Sequence, residues 1–342
     1  GCLGCRRGGA QARPLALLVQ ALPLGLMYPV RRIATWLVFV AVWLWIQNQS
    51  ALGLGRLEAL VAALAFERVA AEVALPLLSI LVKWLVIGRY REGTHRLWSS
   101  YYLRWWLVDQ AILLCGRGAF RHSQLGLRVY LRLMGASVGA GARFHQRSRV
   151  AEFDLVSIGE GCLVDDVAVR AFCLEGAKMS LHRVHLGARS CLCTKVSVAP
   201  GASVPRGACL GPLSSTYGVL TEEAPESNRR YCTQAFPDPP LPWRLLGHII
   251  LLLCWAACQA PLLLVLRLMC LQPWYRPVLS GYSDVLLWFL TPERVGYYVA
   301  LRVVRACVQP IVRLLCGVAV KRLVVGRFRP GPRGGGGGGG LL

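Results

Sequence analysis

Three histidines are the side chains best suited to chemistry in this sequence. His182 and His185 lie in a stretch, Val169 to Leu186, that also holds Glu175 and Lys178, and His145 lies earlier in the chain. An imidazole near neutrality can take the proton from an amine as that amine attacks an acyl carbonyl. These three are therefore the candidate catalytic residues, as general bases. Metal chemistry is not expected: Cys2-x-x-Cys5 has no second half and Cys191-x-Cys193 has the wrong spacing for a zinc site. Asp165-Asp166 reads as a solvated edge rather than a carboxylate dyad. The scattered cysteines, several in apolar segments, read as buried or lipid-facing thiols.

The elements that must position these groups follow from a six-residue beat. From Leu186 five hexads keep one register, with aliphatic residues at Leu186, Leu192, Val198, Val204 and Leu210. Small or short residues recur four positions later, at Ser190, Val196, Ala202, Ala208 and Ser214. Aliphatic residues at that period suit a left-handed parallel β-helix of triangular cross-section, in which each face is one short strand and eighteen residues make a coil. Gly187, Pro200-Gly201 and Gly211 supply its corners. Weaker hexads at Val138 to Arg143 and at Ile158 to Val169 extend it over residues 131–218. The register breaks between Val169 and Leu186, which predicts a protruding loop holding His182 and His185; a rigid scaffold commonly carries its chemistry on such loops.

The rest of the chain is too apolar for water. Of 342 residues 55% are hydrophobic, and the mean hydropathy is +0.47. The expected fold class is membrane α plus β, with transmembrane helices flanking the β-helix. Residues 1–82 hold spans at 33–54 and 59–82, the second interrupted by Glu67, Arg68 and Glu72. An earlier apolar stretch, 15–30, is broken by Pro23 and Pro29 and is read as interfacial or an extra span. Residues 83–130 form an amphipathic or interfacial helical segment whose Tyr101 to Trp106 run is an aromatic belt or a helix packed under the soluble part. Residues 219–243 are a linker, 244–320 a second helix pair, and 321–342 the start of another unit with a Gly-rich tail. In the last span Arg302, Arg305 and Arg313 share a helical face, either toward a bundle interior or on a membrane surface.

The net charge of +22 comes from 39 basic and 17 acidic residues. The arginines are spread out and have no aromatic interleaving, so membrane lipid rather than nucleic acid is the expected partner. Basic residues precede the first span and follow the second, placing the soluble part on the cytosolic side of a multi-pass protein. The sequon Asn48-Gln-Ser50 then lies on the opposite side, too near the bilayer for use. Finally, Lys83 to Gly93 recurs as Lys321 to Gly331 with seven identities in eleven. That recurrence predicts a fragment of a longer protein that repeats a helix pair plus soluble domain.

Lys83 to Gly93, Leu97 to Asp109, Glu152 to Gly159 and the hexads together resemble the membrane-embedded C-terminal region of Pls/PosA-type non-ribosomal peptide synthetase-like proteins, the ε-poly-lysine synthetase type. The resemblance covers most of residues 24–215. It implies a tandem array of β-helix domains ringed by helix pairs, which transfer an acyl or aminoacyl group to an amine, with a phosphopantetheine thioester on a carrier domain, upstream or in trans, as the donor and further β-helix repeats as partners. It also marks a departure: Phe172, ahead of Cys173-Leu-Glu175, stands where the family pattern has a histidine. A non-catalytic structural repeat is therefore one alternative, and a membrane-bound hexapeptide acetyltransferase using acetyl-CoA is another.

Overall fold

The computed structural model of the chain describes residues 14–48, 56–216, 218, 240–271, 282–284, 287 and 291–326. The residues divide into two compact units, one of residues 1–37 and 66–236 and the other of residues 38–65 and 237–342.

Among the described residues four helices are long and apolar enough to cross a membrane: Leu17–Asn48, Glu58–Val86, Leu245–Met269 and Val295–Val324. The first departs from expectation. The short helix α1 (Pro14–Leu22) does not stop at Pro23 but runs through a π-helical segment, Pro23–Met27, into α2 (Tyr28–Asn48). A wider i→i+5 turn absorbs the missing proline donor without ending the helix. The stretch 15–30 thus joins the first span. Helix α3 (Arg56–Val86) is likewise unbroken by its internal Pro76. Pro76 leaves the Glu72 carbonyl without its helical donor, and Gly118 packs against that carbonyl. A Cβ at Gly118 would lie 2.0 Å from the Glu72 oxygen, and its φ of +43° also favours glycine.

In the other unit, α6 (Leu241–Leu271), α7 (Pro292–Val303) and α8 (Gln309–Val320) form the second helical group, with a π segment at Val304–Val308. Arg302, Arg305 and Arg313 are exposed there, and Arg302 donates to the Tyr298 hydroxyl one turn back. The repeated sequence ends its helix the same way in both copies. Gly88 (φ +67°) donates its N–H to the Lys83 carbonyl at 3.0 Å, and Gly326 (φ +66°) donates to Lys321 at 3.0 Å. The remainder of the second copy, the linker segment 219–239 and the sequon's Gln49 and Ser50 lie outside the described residues.

The middle of the chain is a set of two- to four-residue strands. β2 (Ser137–Val138), β5 (Val156–Ile158), β10 (Val184–Leu186) and β13 (Ser203–Val204) form one parallel sheet in the order β13-β10-β5-β2. β3 (Arg143–Phe144), β6 (Leu163–Val164), β11 (Cys191–Leu192) and β14 (Cys209–Leu210) form a second. β4 (Arg149–Val150), β7 (Ala168–Val169), β12 (Ser197–Val198) and β15 (Ser215–Thr216) form a third. In the last pass each strand pairs with the one eighteen residues on: His185 with Ser203, Cys191 with Cys209 and Ser197 with Ser215.

These pairings correct the expected left-handed parallel β-helix. Among the described residues the backbone forms three discrete four-stranded parallel sheets with no closed barrel, accompanied by many helices and a fourth, antiparallel sheet. The six-residue beat fixes only which side chains turn inward and which strands neighbour each other. It does not make two-residue strands close into one barrel.

The inward positions are as the beat predicts. Leu186, Leu192, Val198, Val204 and Leu210 are all buried, as are Ser190, Val196, Ala202 and Ala208. At one corner the successive passes approach closely because Gly139, Gly159 and Gly187 occupy it. A Cβ at each would come within 2.4–2.6 Å of backbone nitrogen in the next pass, at Glu160, Ala188 and Arg206 respectively.

The stretch that breaks register is the second correction, because it is no irregular loop. β8 (Phe172–Glu175) and β9 (Lys178–Leu181) form a hairpin turning at Gly176 (φ +58°), and β1 (Gly93–Arg96) adds antiparallel to β9. Gly-Ala between two strands is a sequence suited to such a tight turn.

Helices α4 (Ser100–Cys115) and α5 (Gln124–Leu133) start at Ser99 and Ser123, whose hydroxyls accept the N–H groups of Tyr102 and Gly126. Tyr102 and Trp105 of α4 and Leu127, Tyr130 and Leu131 of α5 are buried in the sheet core. The aromatic run therefore packs under the sheets rather than forming a lipid-facing belt.

Candidate functional site

The three histidines do not converge. His145 lies just past β3, exposed, where its Nδ1 accepts the Arg147 N–H at 3.2 Å. His182 lies between β9 and β10, exposed, with its backbone N–H on the Ala171 carbonyl. His185 sits within β10, and only it has a side-chain partner suited to catalysis. Its Nδ1 is 2.6 Å from the Ser157 hydroxyl of β5, on the outer face of the first sheet. The register extends that outward row to Ser137 on one side and Ser203 on the other. If Nδ1 carries the proton and donates to Ser157 Oγ, the exposed Nε2 is left with its lone pair, in the state needed for a base.

The second feature is a buried carboxylate that spacing alone did not single out. Glu152 is 1% exposed and sits at φ +48°. It accepts from Trp105 Nε1 at 3.0 Å, Arg170 Nη2 at 2.9 Å and the Ala171 N–H at 3.1 Å. Arg170 also reaches Asp109 at 3.4 Å. Burial alone would lower the guanidinium pKa, but the Glu152 and Asp109 carboxylates outweigh it and raise the value. Asp109 is pushed up by burial, which Arg170 only partly offsets. Phe172, the first residue of the hairpin, packs its ring 4.7 Å from Trp105 and 4.6 Å from the Arg170 guanidinium. The cluster thus clamps the base of the hairpin to α4.

A third feature ties α3 to the sheets. Lys83, fully buried, lies 2.8 Å from Asp154, and Asp154 also accepts the Tyr90 N–H at 3.1 Å. All three motif segments named above, 83–93, 97–109 and 152–159, meet through these contacts. They were legible as motifs, but spacing could not reveal that Lys83 and Tyr90 face Asp154 or that Trp105 faces Glu152.

Other candidates are set aside by their surroundings. Asp165 and Asp166 take separate partners, Thr194 and Lys195 on the next pass. Burial pushes the Cys162 thiol up to about 11 and, with Cys193 beside it, the Cys191 thiol up to about 12, far from a reactive thiolate.

Four tyrosines give the folded state a pH dependence. Burial raises the phenols of Tyr90, Tyr101, Tyr102 and Tyr130 above 10.0, Tyr90 well above. The unfolded chain then loses tyrosine protons first as pH rises. Their stabilising effect is complete below pH 10.0 and is lost as pH climbs through the raised values. The thermal unfolding midpoint is expected to fall steeply above that pH, and Tyr90→Phe to flatten the fall; a variant whose alkaline limb matches the parent's would refute the linkage.

No protein-family model matches this chain. It is 26% identical over 145 residues to a delta-poly-L-ornithine synthetase of Acinetobacter baumannii (strain AB307-0294), a match covering 40% of this chain and 11% of that protein. The chain thus aligns with a small part of that relative's length. A crystal structure of serine acetyltransferase isoform 3 in complex with cysteine, from Entamoeba histolytica, aligns over 62% of this chain and 75% of that one. Its identity is 11% and its TM-score 0.17, too slight a likeness to carry an argument.

Proposed function

We propose that this chain is part of a membrane-bound peptide-synthetase-like protein whose sheet region transfers an acyl or aminoacyl group from a carrier thioester to an amine. The observation that carries the reading is the His185–Ser157 pair at 2.6 Å on an exposed sheet face; the weak similarity to a poly-ornithine synthetase agrees with it. In the transfer the amine nitrogen attacks the thioester carbonyl, the C–N bond forms and the C–S bond breaks. His185 Nε2 takes the amine proton and returns it to the departing thiolate. Ser157 holds the ring through Nδ1, as an orienting partner rather than a reacting group. The basic residues flanking the first two spans support a cytosolic location for this region, where carrier domains would meet it.

The purified 342-residue chain in detergent, given an ornithyl pantetheine thioester and ornithine, is expected to form the amide seen by mass spectrometry. His185→Ala should lower the rate by roughly 10²-fold or more, with His182→Ala and His145→Ala closer to the parent. Unchanged turnover in His185→Ala would remove the assignment.

A non-catalytic repeat is the second reading, favoured by Phe172, whose ring fills the space between Trp105 and Arg170 where the resembling family has a histidine. It requires a folded chain that forms no amide in this assay. Product formed from free acetyl-CoA instead would favour the acetyltransferase alternative.

A further inference from the structure

We infer that the junction between the end of α3 and the sheet region is a binding site for the phosphate of an anionic lipid headgroup. A cavity of about 480 Å³ opens there, lined by Trp84 of α3, Arg89 and Tyr90 just past it, Arg132 of α5, Gly135, Asp154 and Arg183. Two independent observations converge on it.

The first is charge. Arg89, Arg132, Arg183 and Asp154 line the space, with Lys83 and Glu92 beside it as the ion-pair partners of Asp154 and Arg183. Each carboxylate is already committed: Asp154 holds Lys83 at 2.8 Å and Glu92 holds Arg183 at 3.3 Å. Arg132 uses Nε and one Nη on the Val138 carbonyl, at 3.0 and 2.6 Å, which fixes its guanidinium at the rim and leaves its other Nη hydrogens unused. Arg89 is exposed and pairs with no carboxylate among the described residues. A surplus of two positive charges, one of them on the held guanidinium of Arg132, suits one phosphodiester, which accepts paired N–H donors. The helix end is not an obstacle. The Lys83 carbonyl is capped by the N–H groups of Ile87 and Gly88, and the Lys83 ammonium offsets the negative end of the helix dipole.

The second is depth. The span Glu58–Val86 ends between Trp84 and Arg89, so the cavity lies where the bilayer core gives way to headgroups. Trp84 is 40% exposed and donates its indole N–H to the Leu133 carbonyl at 2.9 Å, the half-wet setting in which indoles sit at that layer. Basic pockets beside membrane helices take anionic headgroups for these reasons. A phosphate carried on a soluble group would use the same donors but would gain nothing from the depth.

The inference is independent of the transferase reading, since its test needs no turnover. The 342-residue chain in detergent would be titrated separately with phosphatidylglycerol, phosphatidylcholine, inorganic phosphate and free phosphopantetheine, with binding read by native mass spectrometry. Phosphatidylglycerol should bind more tightly than phosphatidylcholine. Arg89→Gln and Arg183→Gln should each weaken it roughly fivefold, the effect of one cation near a charged surface. Arg206→Gln, an equal charge change at an exposed arginine on the sheet region, should leave it unaltered. Equal binding of the two lipids, equal loss in Arg206→Gln, or saturation by inorganic phosphate or phosphopantetheine in preference to lipid would each overturn the site.

Discussion

Leu192→Asp is expected to unfold the sheet region outright. Leu192 is fully buried, pairs with Val164 and Leu210 in its sheet, and belongs to the core shared by all three sheets. Removing a leucine from such a site costs about 2–5 kcal/mol, and placing a carboxylate there without a partner adds several more. A domain holds only about 5–15 kcal/mol in total. The control is Leu213→Asp, the same exchange at a residue that is 82% exposed and sits at φ +60°. Aspartate tolerates that left-handed conformation better than leucine, so this variant should be at least as stable as the parent. Circular dichroism and limited proteolysis in detergent would separate the two, and a folded Leu192→Asp chain would mean that the inward assignment of the hexads is mistaken.

Glu152→Ala carries the next largest expected effect, a loss of about 3–5 kcal/mol. The carboxylate answers three donors on different segments, so its removal strands the Trp105 and Ala171 N–H groups and leaves Arg170 with Asp109 alone. Glu152→Gln keeps the shape and an acceptor oxygen but not the charge, and should lose less. Because Ala171 leads directly into the hairpin, proteolytic cleavage within residues 172–181 should appear at temperatures where the parent resists it. A change in thermal midpoint too small to correspond to 1 kcal/mol would show that the cluster is not a clamp.

Much of this arrangement was legible before any coordinates. The hexads marked Leu186, Leu192, Val198, Val204 and Leu210 as inward, because burial repeats wherever strand and corner lengths repeat. Long, predominantly apolar runs mark the candidate spans, since helices of that length satisfy their backbone in lipid. The errors have local causes. Pro23 looked like a break because a π-helical turn leaves no mark in composition. The stretch between Val169 and Leu186 reads as a loop because β9 pairs with β1, which is remote in sequence.

The residues alone fix which positions are apolar, how often they recur, and that some runs are long and apolar enough to cross a membrane. It takes the folded chain to show that three distant motifs meet at Glu152 and Asp154, that His185 and not His182 or His145 has a hydroxyl partner, and that the strands settle into three sheets rather than one closed coil. The physical reason is that periodicity encodes burial one residue at a time. An ion pair, a hydrogen bond or a sheet edge depends on two positions whose separation in the chain says nothing of their distance in space.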